Sequence, residues 1–392
     1  MRFLIPAFLV SGVMLGADTL SITNGPYLQI DSGASVAVTW ITDRPAAGVV
    51  EYGLAGGELK PAFSSHHGLV DTGRVHHVVL KDLQPGATYR YRVASREILT
   101  PRPGKLEQGA TVRSEFREFR ALDPGKREFS FLVFNDMHDV PATFPELLKA
   151  AGAAPYDFVL LNGDIVSHVA NEAQVTKMLD AAAASFASSA PFLWVRGNHE
   201  TRGPFARQLP AYLHLPDSRY YRGFDYGGVR FTILDTGEDK IDEHPEYGGL
   251  ADFFRYRREQ AEWLKAEVAS AAFRSARYRI VVCHMPFSGA ARQSGGSGSA
   301  PSPFQGMADG YRNFGATLEQ ANVDLMISGH LHSSAVADPV AGRHRYPIVR
   351  GGGPKDPSRT VIRVTVTGEG IEARILRADG SGAGTCRVSP RR

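Results

Sequence analysis

Phe129-Ser130-Phe131-Leu132-Val133-Phe134-Asn135-Asp136-Met137-His138 is the stretch on which the reading of this chain turns. An apolar run of strand length ends at two side chains able to hold a metal ion. The same pairing recurs downstream. Residues 157–161 lead to Gly163-Asp164, and residues 191–195 to Gly197-Asn198-His199-Glu200. Residues 278–282 lead to Cys283-His284, and residues 323–327 to Gly329-His330-Leu331-His332. Apolar runs this short, bounded by turn residues, read as buried strands. Helical patterns lie between them over residues 143–151, 171–186, 256–271 and 311–320. Residues 229–234 form a further strand. Alternation of this kind predicts an α/β domain with a single doubly wound sheet. Such sheets bind ligands outside the carboxyl ends of their strands, which is where all five motifs fall.

The donor set narrows the chemistry. Asp, Asn and His supply the oxygen and nitrogen atoms that first-row transition metals accept. Asp164 follows a glycine that leaves room beside it. Asp136 and His138, like His330 and His332, are two residues apart and can point the same way on an extended segment. Asn198 adds a neutral oxygen and His284 an imidazole. Few carboxylates keep the charge low enough for a phosphate dianion to approach. Two metals roughly 3.5–4 Å apart can share a hydroxide and neutralise a transferring phosphoryl group. His199, next to Asn198, can give a proton to a departing alkoxide.

Upstream, residues 21–122 hold short alternating runs and turns without a strong helical period. Ser35-Val36-Ala37-Val38-Thr39-Trp40 and Thr88-Tyr89-Arg90-Tyr91-Arg92-Val93 are the clearest. They predict a small antiparallel β-sandwich. Leu83-Gln84-Pro85-Gly86 with Tyr89 and Tyr91 resembles the turn and strand of fibronectin type III modules. Residues 123–127, Asp-Pro-Gly-Lys-Arg, read as a hinge. Residues 288–303 are rich in Gly, Ser and Pro and read as a surface loop, or as a rim of the site just after His284. Residues 360–376 read as two strands joined at Gly368-Glu369-Gly370.

Composition bounds the rest. The chain has 392 residues, enough for two domains. Its net charge of +3 is small, and no basic stripe marks a nucleic-acid binder. Residues 1–17 read as an export signal: Arg2, an apolar centre, and Leu15-Gly16-Ala17 before the cut. Export to the periplasm or outside the cell follows, with no stable membrane insertion. Two cysteines, Cys283 and Cys386, are too few for a disulfide framework. A buried free thiol is the expected state of Cys283, and a bridge to Cys386 stays open. His66, His67, His76 and His77 read as sandwich residues. His168 and His214 are ambiguous.

In this order, the five motifs resemble those of the calcineurin-like metallophosphoesterase superfamily. With the sandwich in front, the chain is similar to its purple-acid-phosphatase-like branch. The resemblance implies a fold that periodicity does not: two facing β-sheets flanked by helices, preceded by the all-β module. It implies domains at 18–122 and 128–392. It assigns Asp136, His138, Asp164 and His332 to a first metal, and Asp164, Asn198, His284 and His330 to a second. His199 becomes the proton donor or phosphate contact. Purple acid phosphatases carry a tyrosine three residues after the bridging aspartate and lack a histidine at the position of His138. Here the tyrosine position is Ser167, so a pale enzyme is expected, with Fe, Mn, Zn or Co as the ions.

The resulting expectation is an exported phosphoric ester hydrolase acting on small phosphomonoesters by one in-line displacement. A phosphodiesterase with the same core is the alternative. A binding protein on an inactive shell is the rival from another class, and it should have lost ligands. Arg202, His244, Tyr247 and Arg292 are pocket candidates that read equally well as surface residues. The sandwich is expected to dock on the second domain and to frame the site or a dimer.

Overall fold

The computed structural model describes residues 19–99, 104–286 and 305–390. The expected export signal, the Gly/Ser/Pro-rich stretch and Arg292 lie outside the described residues.

Strand Phe129–Phe134 shows how the second domain is layered. Phe131 and Val133 enter one apolar cluster, and Leu132 and Phe134 enter another. The strand is buried on both faces, which is why its sequence is a continuous apolar run. Its neighbours Phe158–Asn162 and Phe192–Val195 run parallel to it. The antiparallel strands Thr360–Thr367, Gly370–Arg377 and Gly382–Val388 extend the other side.

A second sheet faces the first, in the order Arg222–Tyr226, Val229–Leu234, Tyr278–Cys283, Leu325–Ser328, Ile348–Arg350, Ala335–Ala337. Phe231, Ile233, Ile280, Val282 and Ile327 meet Phe131, Val133, Phe158 and Leu160 between the sheets. Helices Thr143–Ala151 and Glu172–Ala182 cover the outer face of the first sheet through Phe144, Leu147, Val175, Met178 and Leu179. Helices Phe253–Ala269 and Gln305–Gln320 cover the second through Ala261, Leu264, Phe314 and Leu318.

The single doubly wound sheet expected from alternation is therefore corrected to two facing sheets, as the family resemblance implied. A strand covered on both faces looks the same in sequence whether helix or sheet covers it, so periodicity could not distinguish them. The three-stranded carboxyl end also departs from the expected two. Gly382–Val388 lacks the alternation that would have announced it. Helix Phe253–Ala269 starts earlier than Tyr256 because the Asp242 carboxylate, remote in sequence, accepts from the amides of Phe253 and Phe254 at 2.8 and 3.0 Å. Both cysteines are buried free thiols, in different apolar clusters.

In the front module, strand Ser35–Leu54 runs 20 residues and changes partners at an irregularity between Ile41 and Ala46, where Pro45 sits. Its first part pairs with Ile22–Ser32 and its second with Thr88–Ile98. The module does not hang on the Asp123–Arg127 linker alone. Gln29 pairs in parallel with Phe192, which joins the module to the first sheet. Lys126 Nζ lies 2.6 Å from Asp157 Oδ1, which pins the linker. Tyr27 donates to the Tyr212 carbonyl at 2.6 Å, and His214 Nε2 lies 2.8 Å from Asp31.

Candidate metal centre

The carboxyl ends of the parallel strands meet at one edge, and the five motifs turn there. The first two turns are zipped together. The amides of Asp136, His138 and Asp139 donate to the carbonyls of Gly163, Asp164 and Ile165 at 2.9–3.0 Å. The amide of Gly329 donates to the His284 carbonyl at 2.8 Å. Asp136, His138, Asp164, His330 and His332 all lie at positive φ, between 47° and 73°. That region costs free energy for residues with a Cβ, and such residues cluster where a site imposes them. Two glycines are obligatory here. Gly163 is at φ +80°, and a Cβ on it would strike the His284 ring. A Cβ on Gly197 would strike the Asp164 carboxylate.

These turns bring seven side chains together in two groups that share Asp164. Asp136, His138, Asp164 and His332 form one, and Asp164, His284 and His330 the other. Asn198 joins the second, its Oδ1 lying 3.0 Å from His330 Nδ1. In the first, His138 Nε2 and His332 Nε2 are 3.0 Å apart, and Asp136 Oδ1 is 3.4 Å from His332 Nε2. In the second, His284 Nε2 is 3.0 Å from Asp164 Oδ2. His284 is fully buried, yet this nitrogen makes no hydrogen bond. Its Nδ1 lies 2.8 Å from the Asn162 carbonyl, to which it can donate, leaving an Nε2 lone pair aimed at the centre. Imidazole nitrogens and carboxylate oxygens crowded within 3.0–3.4 Å of one another, with the buried His284 Nε2 unpartnered among them, fit metal ions at both groups.

The electrostatics agree. Burial pushes His138 and His330 down to about 4, against the pull of the carboxylates, so both are neutral ligands near pH 7. Burial would raise Asp164, but His284 and the other imidazoles outweigh it and hold the carboxyl well below its usual range. Burial likewise opposes charge on His284, yet Asp164 and Asp136 push it up. A positive charge is wanted between these carboxylates, and without another cation the imidazole supplies it. The hydrogen bond to Asp136 raises His332.

His199 sits at the rim. Its Nδ1 lies 2.6 Å from the Ser167 carbonyl, which fixes that nitrogen as the donor. Nε2 then faces Asp164 Oδ2 at 3.9 Å and Arg202 Nη1 at 3.2 Å. His332 is the outer wall, with 47% of its side chain exposed.

The supporting roles of Glu200 and Asn135 escaped the sequence reading, as did the clamp on the pocket candidate Arg202. Glu200 is buried, and its carboxylate accepts from the amides of Asp164, Ile165, Val166 and Gly197 at 2.8–3.3 Å. It ties the Gly163-Asp164 turn to the Gly197-Asn198 turn. Its place in the Gly-Asn-His-Glu motif was the available signal. Asn135 donates to Asp136 and to the Gly352 carbonyl. Arg202 is clamped by Glu238 and Asp239, remote in sequence, and nothing local announced that. Of the other pocket candidates, Tyr247 lines a cleft beside Arg202, and His244 caps a short turn by accepting from the Glu246 amide. His214 belongs to the module interface.

Two facing sheets with two ligand groups sharing one carboxylate at their strand ends define a class: α/β proteins built to hold a pair of metal ions. Within that class, residues 129–334 match the calcineurin-like phosphoesterase model, just over half of the chain, and the chain belongs to that family. Residues 24–115 match the purple acid phosphatase N-terminal domain. The chain is similar to purple acid phosphatase 22 of Arabidopsis thaliana, 24% identical over 314 residues, covering 76% of this chain and 62% of the relative. It is 33% identical over 214 residues to acid phosphatase type 7 of Mus musculus, covering 52% of this chain and 46% of the relative. It thus spans less than two thirds of either relative. Among solved structures, a purple acid phosphatase from yellow lupin seeds shares the fold, with a TM-score of 0.68 and 18% identity over 93% of this chain and 74% of that one.

Proposed function

We propose that the protein is an exported hydrolase of phosphoric esters, acting first on small phosphomonoesters with two transition-metal ions. The observation that carries this reading is the pair of ligand groups sharing Asp164. The names of the relatives, acid phosphatases throughout those cited, support the reaction class. Asp136, His138, Asp164 and His332 would hold one ion, and Asp164, Asn198, His284 and His330 the other. Two such ions supply Lewis acidity for the phosphoryl oxygens and lower the pKa of water.

The remaining work falls to the chain itself. Glu200 holds the turns that carry Asp164 and Asn198 in one relative position. The Ser167 carbonyl accepts from Nδ1 of His199, and the doubly protonated ring can pass its Nε2 proton to the departing oxygen and return to the neutral Nδ1–H form. Arg202 can donate to Nε2 once its proton has left. Ser167 stands where a metal-binding tyrosine would colour the enzyme, and His138 fills the first group instead, so we expect a pale protein. Export and domains at 18–122 and 128–392 belong to the same proposal. Among the described residues no helix is long and apolar enough to cross a membrane.

The test is hydrolysis of p-nitrophenyl phosphate and of bis(p-nitrophenyl) phosphate by the full chain resupplied with Mn, Fe or Zn. Monoester turnover that a chelator removes and metal restores supports the reading. Activity on the diester alone would replace the substrate class.

A further inference from the structure

Beside the cluster lies a cleft of about 610 Å³. Arg202 and Pro204, just past the Asn198-His199 turn, form one part of its lining. Tyr247, Leu250 and Phe253, from the loop that enters helix Phe253–Ala269, form another. Arg202 belongs to both places: its Nη1 is 3.2 Å from His199 Nε2, and its side chain lines the cleft. His168, next to the Ser167 carbonyl that holds the other ring nitrogen of His199, lines it as well.

The lining decides what fits. Its cations are largely spent. Arg202 is clamped by Glu238 and Asp239, Arg196 lies 2.6 Å from the buried Asp235, Arg207 gives an N–H to the Leu250 carbonyl at 3.2 Å, and the carboxylates of Glu246 and Asp252 line the space as well. A second anionic group would find little free charge. What remains is aromatic and aliphatic surface. Leu250 is 73% exposed. One exposed leucine means little, but this one shares a concave surface with Tyr247, Phe253 and Pro204. Two unused polar atoms accompany them, since Arg196 Nε and the Tyr247 hydroxyl are both buried without a hydrogen-bond partner. Apolar side chains in a concave space with polar groups at its walls are the usual form of a small-molecule site.

We infer that this cleft receives the alcohol part of the ester, and that this part is aromatic and uncharged. The inference rests on the phosphoric ester reading above. When the ester is cleaved, the P–O bond to the alcohol breaks with its electron pair on oxygen. A hydroxide oxygen makes the new bond to phosphorus, and the Nε2 proton of the doubly protonated His199 goes to the departing oxygen, which leaves the ring neutral. The alcohol therefore lies on the His199 side, and Arg202 leads from there into the cleft.

The test compares 2-naphthyl phosphate with ethyl phosphate in the metal-loaded full chain and in Leu250→Asp, whose exposed position spares the fold. The ratio of kcat/KM values, aryl over ethyl, should fall roughly tenfold in the variant, as expected for one apolar contact. An unchanged ratio overturns the inference. In parallel, the fluorescence of 2-naphthol is titrated with both proteins. Binding to the parent that weakens in Leu250→Asp supports the cleft even if neither ester is hydrolysed, an outcome that defeats only the phosphatase reading. No binding to the parent, or equal binding to both proteins, overturns the aromatic site.

Discussion

Glu200→Gln is the substitution that most sharply tests how the site is held. The carboxylate is buried, and its two oxygens divide four backbone donors. Oε1 takes Ile165 and Val166, and Oε2 takes Asp164 and Gly197. A glutamine keeps the shape and one oxygen. Its amide NH2 must face two N–H groups that can no longer be satisfied. Leaving a buried donor unpaired costs about 1–3 kcal/mol. Two such donors give a loss of about 2–6 kcal/mol, a large share of the 5–15 kcal/mol typical of a folded domain. Burial and the neighbouring Asp164 push the Glu200 carboxyl up from its usual range, which works against its charge. The four amides argue that the charged form prevails. The assay is urea unfolding of the metal-free protein at pH 7.5, followed by tryptophan fluorescence, with metal affinity measured on the same samples. A loss of about 3 kcal/mol with weakened metal binding is expected. A loss under about 1 kcal/mol with unchanged metal affinity would refute the reasoning, because it would mean the carboxyl is already protonated or the amides find other partners.

Further outcomes follow from the same structure. Asp164→Asn should lower turnover by a factor of about a thousand or more and reduce bound metal, as elemental analysis would show, because both ligand groups lose their shared charge. The purified protein should show no strong visible charge-transfer band, since Ser167 offers no phenolate; an intense band would contradict the ligand assignment. Burial lowers His76 and His77 to about 4 in the folded state. The unfolded chain therefore takes up protons first, so stability is full above pH 6.5 and falls as pH drops from 6.5 through 4. For His76, stacked 4.8 Å from Trp40, the loss should be on the order of 2–3 kcal/mol. His76→Gln should flatten that part of a pH–stability curve. Hydrolysis of a chiral phosphate ester should invert phosphorus; retention would require a covalent intermediate that the account does not contain.

Much of the site was legible because its parts are local. Gly163-Asp164 and Gly197-Asn198-His199-Glu200 each fit within a few residues after a buried strand, and the structure brings their side chains together with those of the other three motifs. What made the sheet count illegible is that Phe129–Phe134 is covered on both faces, so nothing in its pattern says whether helix or sheet lies opposite. The roles of Arg202 and Asp242 were hidden for another reason. Their partners, Glu238 with Asp239, and the amides of Phe253 and Phe254, are brought to them only by the fold. The strand Gly382–Val388 was missed because Gly382-Ala383-Gly384-Thr385 carries almost no apolar signal and is held by pairing with Gly370–Arg377.

The central claim is that two metal ions share Asp164 and drive ester hydrolysis. Elemental analysis of the purified chain, alongside p-nitrophenyl phosphate turnover, tests it most directly. The account predicts about two transition-metal ions per chain, with activity lost to a chelator and restored by metal. A folded sample that binds no metal and turns over no ester after resupply with Mn, Fe and Zn would contradict it.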